Sequence, residues 1–154
     1  MNLLNNVIPK EIFEQGINLS KIGINEYAWK KQNIENIIKI LSTRKIVILG
    51  GDVYKATNDN IEMTYDSWYI NNDRSKGICF KSYIVALNYI EEYEKNNYGT
   101  FLYTITIWTY VNFGKVIGEY VDKKTGVKTP TTWGTIHYGK KGSHIVPKYP
   151  EVVG

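Results

Sequence analysis

Residues 82–111 read SYIVALNYIEEYEKNNYGTFLYTITIWTYV. In the first half, Tyr83, Ala86, Leu87, Ile90 and Tyr93 share one stripe at helical spacing, while Glu91, Glu92 and Glu94 fall largely off it, which predicts an amphipathic helix. Ser82 stands where a cap is expected, and Asn96, Asn97 and Gly99 stop the run. The second half changes period. Phe101, Tyr103, Ile105, Ile107 and Val111 alternate with Thr104 and Thr106, so the spacing predicts one long central strand.

Working outward, Ile34, Ile37, Ile38 and Leu41 form a second apolar stripe and predict a helix over 30–42. Before it, Gly23-Ile24-Asn25 offers a breaker and a cap for a short turn through Glu26 to Trp29, and another helix is expected near residues 10 to 15. After it, Ile46 to Leu49 is a short apolar run that Gly50 and Gly51 are expected to end in a turn. Val53 to Lys55 and Glu62 to Tyr65 flank turn-forming residues 57–60, a hairpin pattern that continues into Trp68 and Tyr69. Residues 71–77 read as a polar loop. Beyond Gly114, Lys123-Lys124-Thr125-Gly126 and Gly139-Lys140-Lys141-Gly142 are turn candidates between short strands. The order helix, strands, helix, strands implies an α+β fold: a small mixed or antiparallel sheet packed against two amphipathic helices, with a β-hairpin C-terminal extension. Residues 1–119 form the domain in this reading, and 120–154 a basic, glycine-rich extension that is not a domain of its own.

With 154 residues, 43% hydrophobic and 22% charged, the chain suits one globular domain and not a disordered one. A lone cysteine, Cys79, excludes an intramolecular disulfide and a four-cysteine zinc site. The opening MNLLNNVIPK has no secretory pattern and no run of about 18 apolar residues occurs, so a soluble, cytoplasmic protein without a membrane partner is expected. The net charge of +4 is unevenly placed: residues 1–119 hold 13 basic and 13 acidic residues, while 120–154 hold six lysines against Asp122 and Glu151. Any affinity for nucleic acid is therefore expected from the tail alone.

Leu49 to Tyr54 lacks the Gly-Lys-Ser/Thr of a phosphate loop, so the two glycines are read as turn formers and Asp52 as their cap. A recognition role for Asp52 and Tyr54 is compatible with that. Asp66-Ser67-Trp68-Tyr69 sets a carboxylate beside two large aromatics, a mixture that suits either a binding surface or a core. Glu91 and Glu92 lie near a helix C-terminus, where negative charge opposes the dipole; they form either a solvated face or a contact for a cationic partner. Catalytic material is thin: no metal-ligand spacing, no cofactor motif, and only His137 and His144 as histidines. If residues 139–142 close a four-residue loop, Tyr138 pairs with Ser143 and His137 falls opposite His144. Beside Lys140 and Lys141, such a pair suits metal-free acid–base cleavage of RNA, a solvated hairpin, or non-specific polyanion binding.

Four pieces, IGINEYAW (22–29), IVILGGDVY (46–54), YDSWY (65–69) and S-x3-ALNYIEEY (82–93), together resemble the immunity protein 40 family of bacterial polymorphic toxin systems. The resemblance covers about residues 10 to 110. It implies an antidote that binds and occludes a cognate toxin domain without turnover, with Asp52, Tyr54, Asp66, Trp68, Tyr69, Glu91 and Glu92 as contact candidates. The tail from Tyr120 to Pro147, including GTIHYGKKGSHIVP (134–147), weakly resembles the C-terminal ends of polymorphic toxin domains, some thought to be ribonucleases. A recombination junction near 112–119 would account for both resemblances.

Overall fold

The computed structural model describes residues 4–71, 77–108, 110–112, 114–139 and 142–149. The chain divides into two compact units, residues 1–107 and 108–154. In the first, short helices α1 (Leu4–Val7) and α2 (Lys10–Phe13) precede β1 (Ile17–Asn18), a 3-10 turn at Leu19–Ile22, β2 (Tyr27–Lys30) and α3 (Lys31–Thr43). Then come β3 (Val47–Ala56), β4 (Ile61–Tyr69), α4 (Ile78–Asn96), β5 (Thr100–Tyr103) and β6 (Thr106–Trp108). The sheet order is β1-β2-β5-β3-β4, with β6 also pairing with β3, and its β1–β5 ladders are antiparallel. The fold is α+β.

Helix α3 follows from its stripe: Ile34, Ile37, Ile38 and Leu41 are all fully buried. They meet Ile48, Val53, Trp68, Tyr103, Ala86 and Ile90 in the main core, on the sheet face that carries both long helices. A smaller core of Leu19, Ala28, Tyr54 and Leu102 lies on the opposite face, flanked by Ile17, Ile22 and Ile24 from β1 and the 3-10 turn.

Four local expectations are corrected. Gly50 and Gly51 do not turn the chain; they sit inside β3, paired with Tyr69 and Trp68. Their task is close approach: a Cβ on Gly51 would overlap the Thr104 carbonyl oxygen and the Trp68 ring, and one on Gly50 the Trp68 carbonyl oxygen. Glu26 to Trp29 is not a turn either, since Tyr27–Lys30 is a strand paired with β1 and β5. Ser82 is not a cap. Helix α4 starts earlier, at Ile78, and buried Ser82 donates to the Cys79 carbonyl at 2.8 Å and accepts the Ile48 N–H at 3.1 Å, tying α4 to β3.

The long strand predicted over 101–111 is broken. At Thr104 the ladder with β3 becomes irregular: Asp52 N–H donates to Thr104 Oγ1 at 2.9 Å, while Thr104 N–H donates to the Asp52 carbonyl at 3.0 Å. The side chain has replaced a ladder carbonyl, and the chain restarts as β6. Period 2 survives such a break, which is why periodicity alone does not reveal it.

In the second unit, β7 (Tyr110–Asn112), β10 (Trp133–Gly139) and β11 (Gly142–Pro147) form an antiparallel sheet in the order β11-β10-β7. A separate hairpin joins β8 (Gly118–Val121) to β9 (Lys128–Thr131). Its turn is held by Asp122, whose carboxylate accepts the Lys124 and Thr125 N–H groups at 2.8 Å each.

Candidate functional site

The candidate residues of the first unit fall on two faces of one sheet, and β4, a terminal strand of the sheet, supplies both. Pairing is regular at Asp52–Ser67 and again at Tyr54–Met63, so Thr64, Tyr65 and Asp66 together face the single residue Val53. This bulge is pinned by Thr64 Oγ1, which donates to the Val53 carbonyl at 2.7 Å and accepts the Asp66 N–H at 3.2 Å. Tyr65 takes a left-handed conformation, φ 64°, and leaves 86% of its surface exposed.

On the helix side, Trp68 is 6% exposed, stacked on Tyr89 at 5.1 Å and edge-on to Tyr103 at 6.5 Å. Asp66 is exposed and accepts the Tyr93 hydroxyl at 2.7 Å. The Tyr93 hydroxyl is pushed up by desolvation first and by Asp66 second. Glu92 lies beside them, lining a shallow recess with Tyr89, Tyr93, Asn96 and Asn97. Glu91 is turned to other work: it binds Lys31 at 2.6 Å and Lys95 at 3.6 Å, and the Lys31 hydrogen bond holds its carboxyl below the usual range. Glu94 accepts the Tyr103 hydroxyl at 2.9 Å. Two of the three carboxylates near the end of α4 thus have partners from other elements, which offsets their poor placement in the helix dipole.

On the opposite face, Asp52 is exposed, Tyr54 is 3% exposed, and Tyr69 is 77% exposed with Gly50 as its cross-strand neighbour. Glu26, one residue before β2, joins them. Its carboxyl is pushed up by desolvation and then by Asp52, although the residue as a whole is exposed. The Tyr54 hydroxyl is pushed up by burial, then by Asp52 and Glu26. Asp52 and Tyr54 are neighbours in the sequence pattern; Glu26 arrives only through the pairing of β2 with β5 and of β5 with β3.

In the second unit, His137 pairs with His144 and Tyr138 with Ser143 in the β10–β11 ladder, the expected register, but Gly139 and Gly142 are paired as well and belong to the ladder, not to a four-residue loop. Lys140 and Lys141 lie outside the described residues. Among the described residues no group of histidine, cysteine and carboxylate side chains is arranged to hold a metal ion, and no helix is long and apolar enough to cross a membrane.

The model of the immunity protein 40 family matches residues 18–107, more than half of the chain and the span from the end of β1 into β6. The chain belongs to the immunity protein 40 family. A second family model, bacterial toxin 50, matches residues 79–147 and so overlaps the first across α4 and β5. No curated protein and no solved structure matches the chain. Family membership supports an immunity role in a polymorphic toxin system, and it makes a toxin protein the kind of partner this immunity protein 40 member has. Both candidate faces lie within the matched span. Of the residues marked in the sequence, Tyr54 and Trp68 are core and Glu91 is ion-paired, whereas Asp52, Asp66, Tyr69 and Glu92 are open to a partner. Glu26, Tyr65 and Tyr93 were missed, because only pairing and the bulge bring them to these surfaces.

Proposed function

We propose that this immunity protein 40 member is a stoichiometric antidote: it binds one cognate toxin domain and blocks it by occlusion, without turnover, in the cytoplasm. The observation that carries the reading is the family match, which covers the sheet, α3 and α4 together within the first compact unit. Exposed Tyr65, Tyr69 and Asp66 on one sheet edge supply the rigid aromatic area and rim charge from which protein interfaces are built.

The test is calorimetry of the intact protein against the toxin domain encoded in the same locus. A 1:1 complex in the nanomolar range is expected, with the toxin's activity abolished at equimolar ratio. Absence of binding at micromolar concentrations of both proteins removes the reading.

A second reading is favoured by one observation, the His137–His144 pairing inside the stretch similar to bacterial toxin 50. It makes the second unit an RNA-acting element, using the imidazoles as acid and base and Lys140 and Lys141 on phosphate. Purified protein would then cleave RNA without added metal, and His137→Ala would reduce the rate by about 100-fold or more. RNA left intact by the wild-type protein rules this out.

A further inference from the structure

The sheet face opposite α3 and α4 carries two carboxylates, Glu26 and Asp52. Asp52 and Glu26 lie near enough to raise the proton affinity of Glu26, and among the described residues neither carboxylate has an ion-pair partner. Elsewhere this unit pairs its carboxylates readily, as Lys31 does with Glu91 and Glu35. Tyr54 supplies a second observation. Its ring is buried with Leu19, Ala28 and Leu102, it stands two residues from Asp52 on the same face of β3, and its hydroxyl has no hydrogen-bond partner among the described residues. Two carboxylates and an unpartnered hydroxyl on an apolar floor form a receptor for one cation. Tyr69, 77% exposed over Gly50 on the same face, adds a ring face of the kind on which a guanidinium or ammonium stacks.

We infer that Glu26, Asp52, the Tyr54 hydroxyl and Tyr69 form the anchor for a lysine or arginine side chain of the protein partner. The inference rests on the antidote reading and specifies where its contact lies. Charge complementarity favours this occupant: the stretch similar to bacterial toxin 50, residues 79–147 of this chain, carries eight lysines against five carboxylates. A toxin domain of that composition presents ammonium groups to a face with two unpaired carboxylates. Like-charge pairs destabilise a free protein and are relieved when a cation enters between them.

The experiment uses the intact protein, the toxin domain encoded beside it, and three variants, Glu26→Gln, Asp52→Asn and Glu11→Gln, each assayed by calorimetry and by thermal melting in the free state. Glu26→Gln and Asp52→Asn are expected to weaken binding at least about tenfold each while leaving the free protein's melting midpoint unchanged or raised, since they remove repulsion. Glu11→Gln, an exposed position in α2 outside both candidate faces, is expected to bind as the wild type does. Wild-type affinity in both Glu26→Gln and Asp52→Asn overturns the anchor and leaves the antidote standing. Weaker binding accompanied by a lowered melting midpoint overturns it too, because the two groups would then be structural. Failure of the wild-type protein to bind overturns the antidote reading and the anchor with it.

Discussion

Gly51→Ala is expected to unfold the first unit or bring it to the edge of unfolding. The added methyl meets two obstacles that have little freedom to retreat, the Thr104 carbonyl oxygen and the ring of Trp68. The carbonyl belongs to the segment that exchanges hydrogen bonds with Asp52, and the ring is clamped between β3 and Tyr89. Overpacking of a close-packed interior usually costs about 1–3 kcal/mol, and a clash against backbone lies at or above the upper end. For a unit of this size, about 3 kcal/mol corresponds to a fall of roughly 12–24 °C in melting midpoint. Gly77→Ala is the matched control: Gly77 has φ 83° but nothing within 4 Å of an added Cβ, so only the left-handed backbone penalty of about 1–2 kcal/mol applies. Circular dichroism melts separate the two, and equal midpoints for Gly51→Ala and wild type would show that β3 does not run through the glycines as described.

Trp68→Ala is the second large effect, expected at about 3–5 kcal/mol as a cavity opens between the sheet and α4. Trp68→Phe should lose much less. Trp68 Nε1 is buried without a hydrogen-bond partner among the described residues, so the phenyl ring gives up volume but no bond, and it removes a polar group that burial penalises. Chemical denaturation of both variants reads this contrast directly. Near-equal stability of Trp68→Ala and wild type would mean that the ring does not fill the core. The same numbers decide how binding data on Trp68→Ala are to be read: at 6% exposure the side chain has little surface to offer a toxin, and lost binding would report lost folding.

Helix α3 was legible because its information is local: four isoleucine and leucine positions at helical spacing make one face, and all four are buried. The β10–β11 register was legible although the loop length was not, since loops of two or four residues about the same centre leave the same antiparallel pairing for the residues beside them. The errors at Gly50–Gly51, Ser82 and Thr104 share a different cause. Each of these residues is explained by a partner far away in sequence: Trp68 over Gly51, Ile48 against Ser82, Asp52 against Thr104. Read locally, two glycines are a turn and a serine is a cap; only the sheet order turns them into points of close approach. The candidate surface divides in the same way. Asp52 and Tyr54 are visible two residues apart in GGDVY, whereas Glu26 reaches them across two intervening ladders, and Asp66 meets Tyr93 only because α4 folds back over the sheet.

The bulge in β4 has a bearing on what this protein does in a crowd of its own copies. A terminal strand offers free N–H and C=O groups in a regular row, a template on which another copy can add itself. Here the row is interrupted at mid-strand, where three residues face one and Tyr65 turns out of the extended conformation. Asp59, Glu62 and Asp66 repeat one sign of charge along residues 57–71, with no lysine or arginine among them. A second identical edge would bring like charge against like and find no straight strand to copy, which disfavours self-association through this side. The aromatic edge stays open to a foreign surface while being closed to itself.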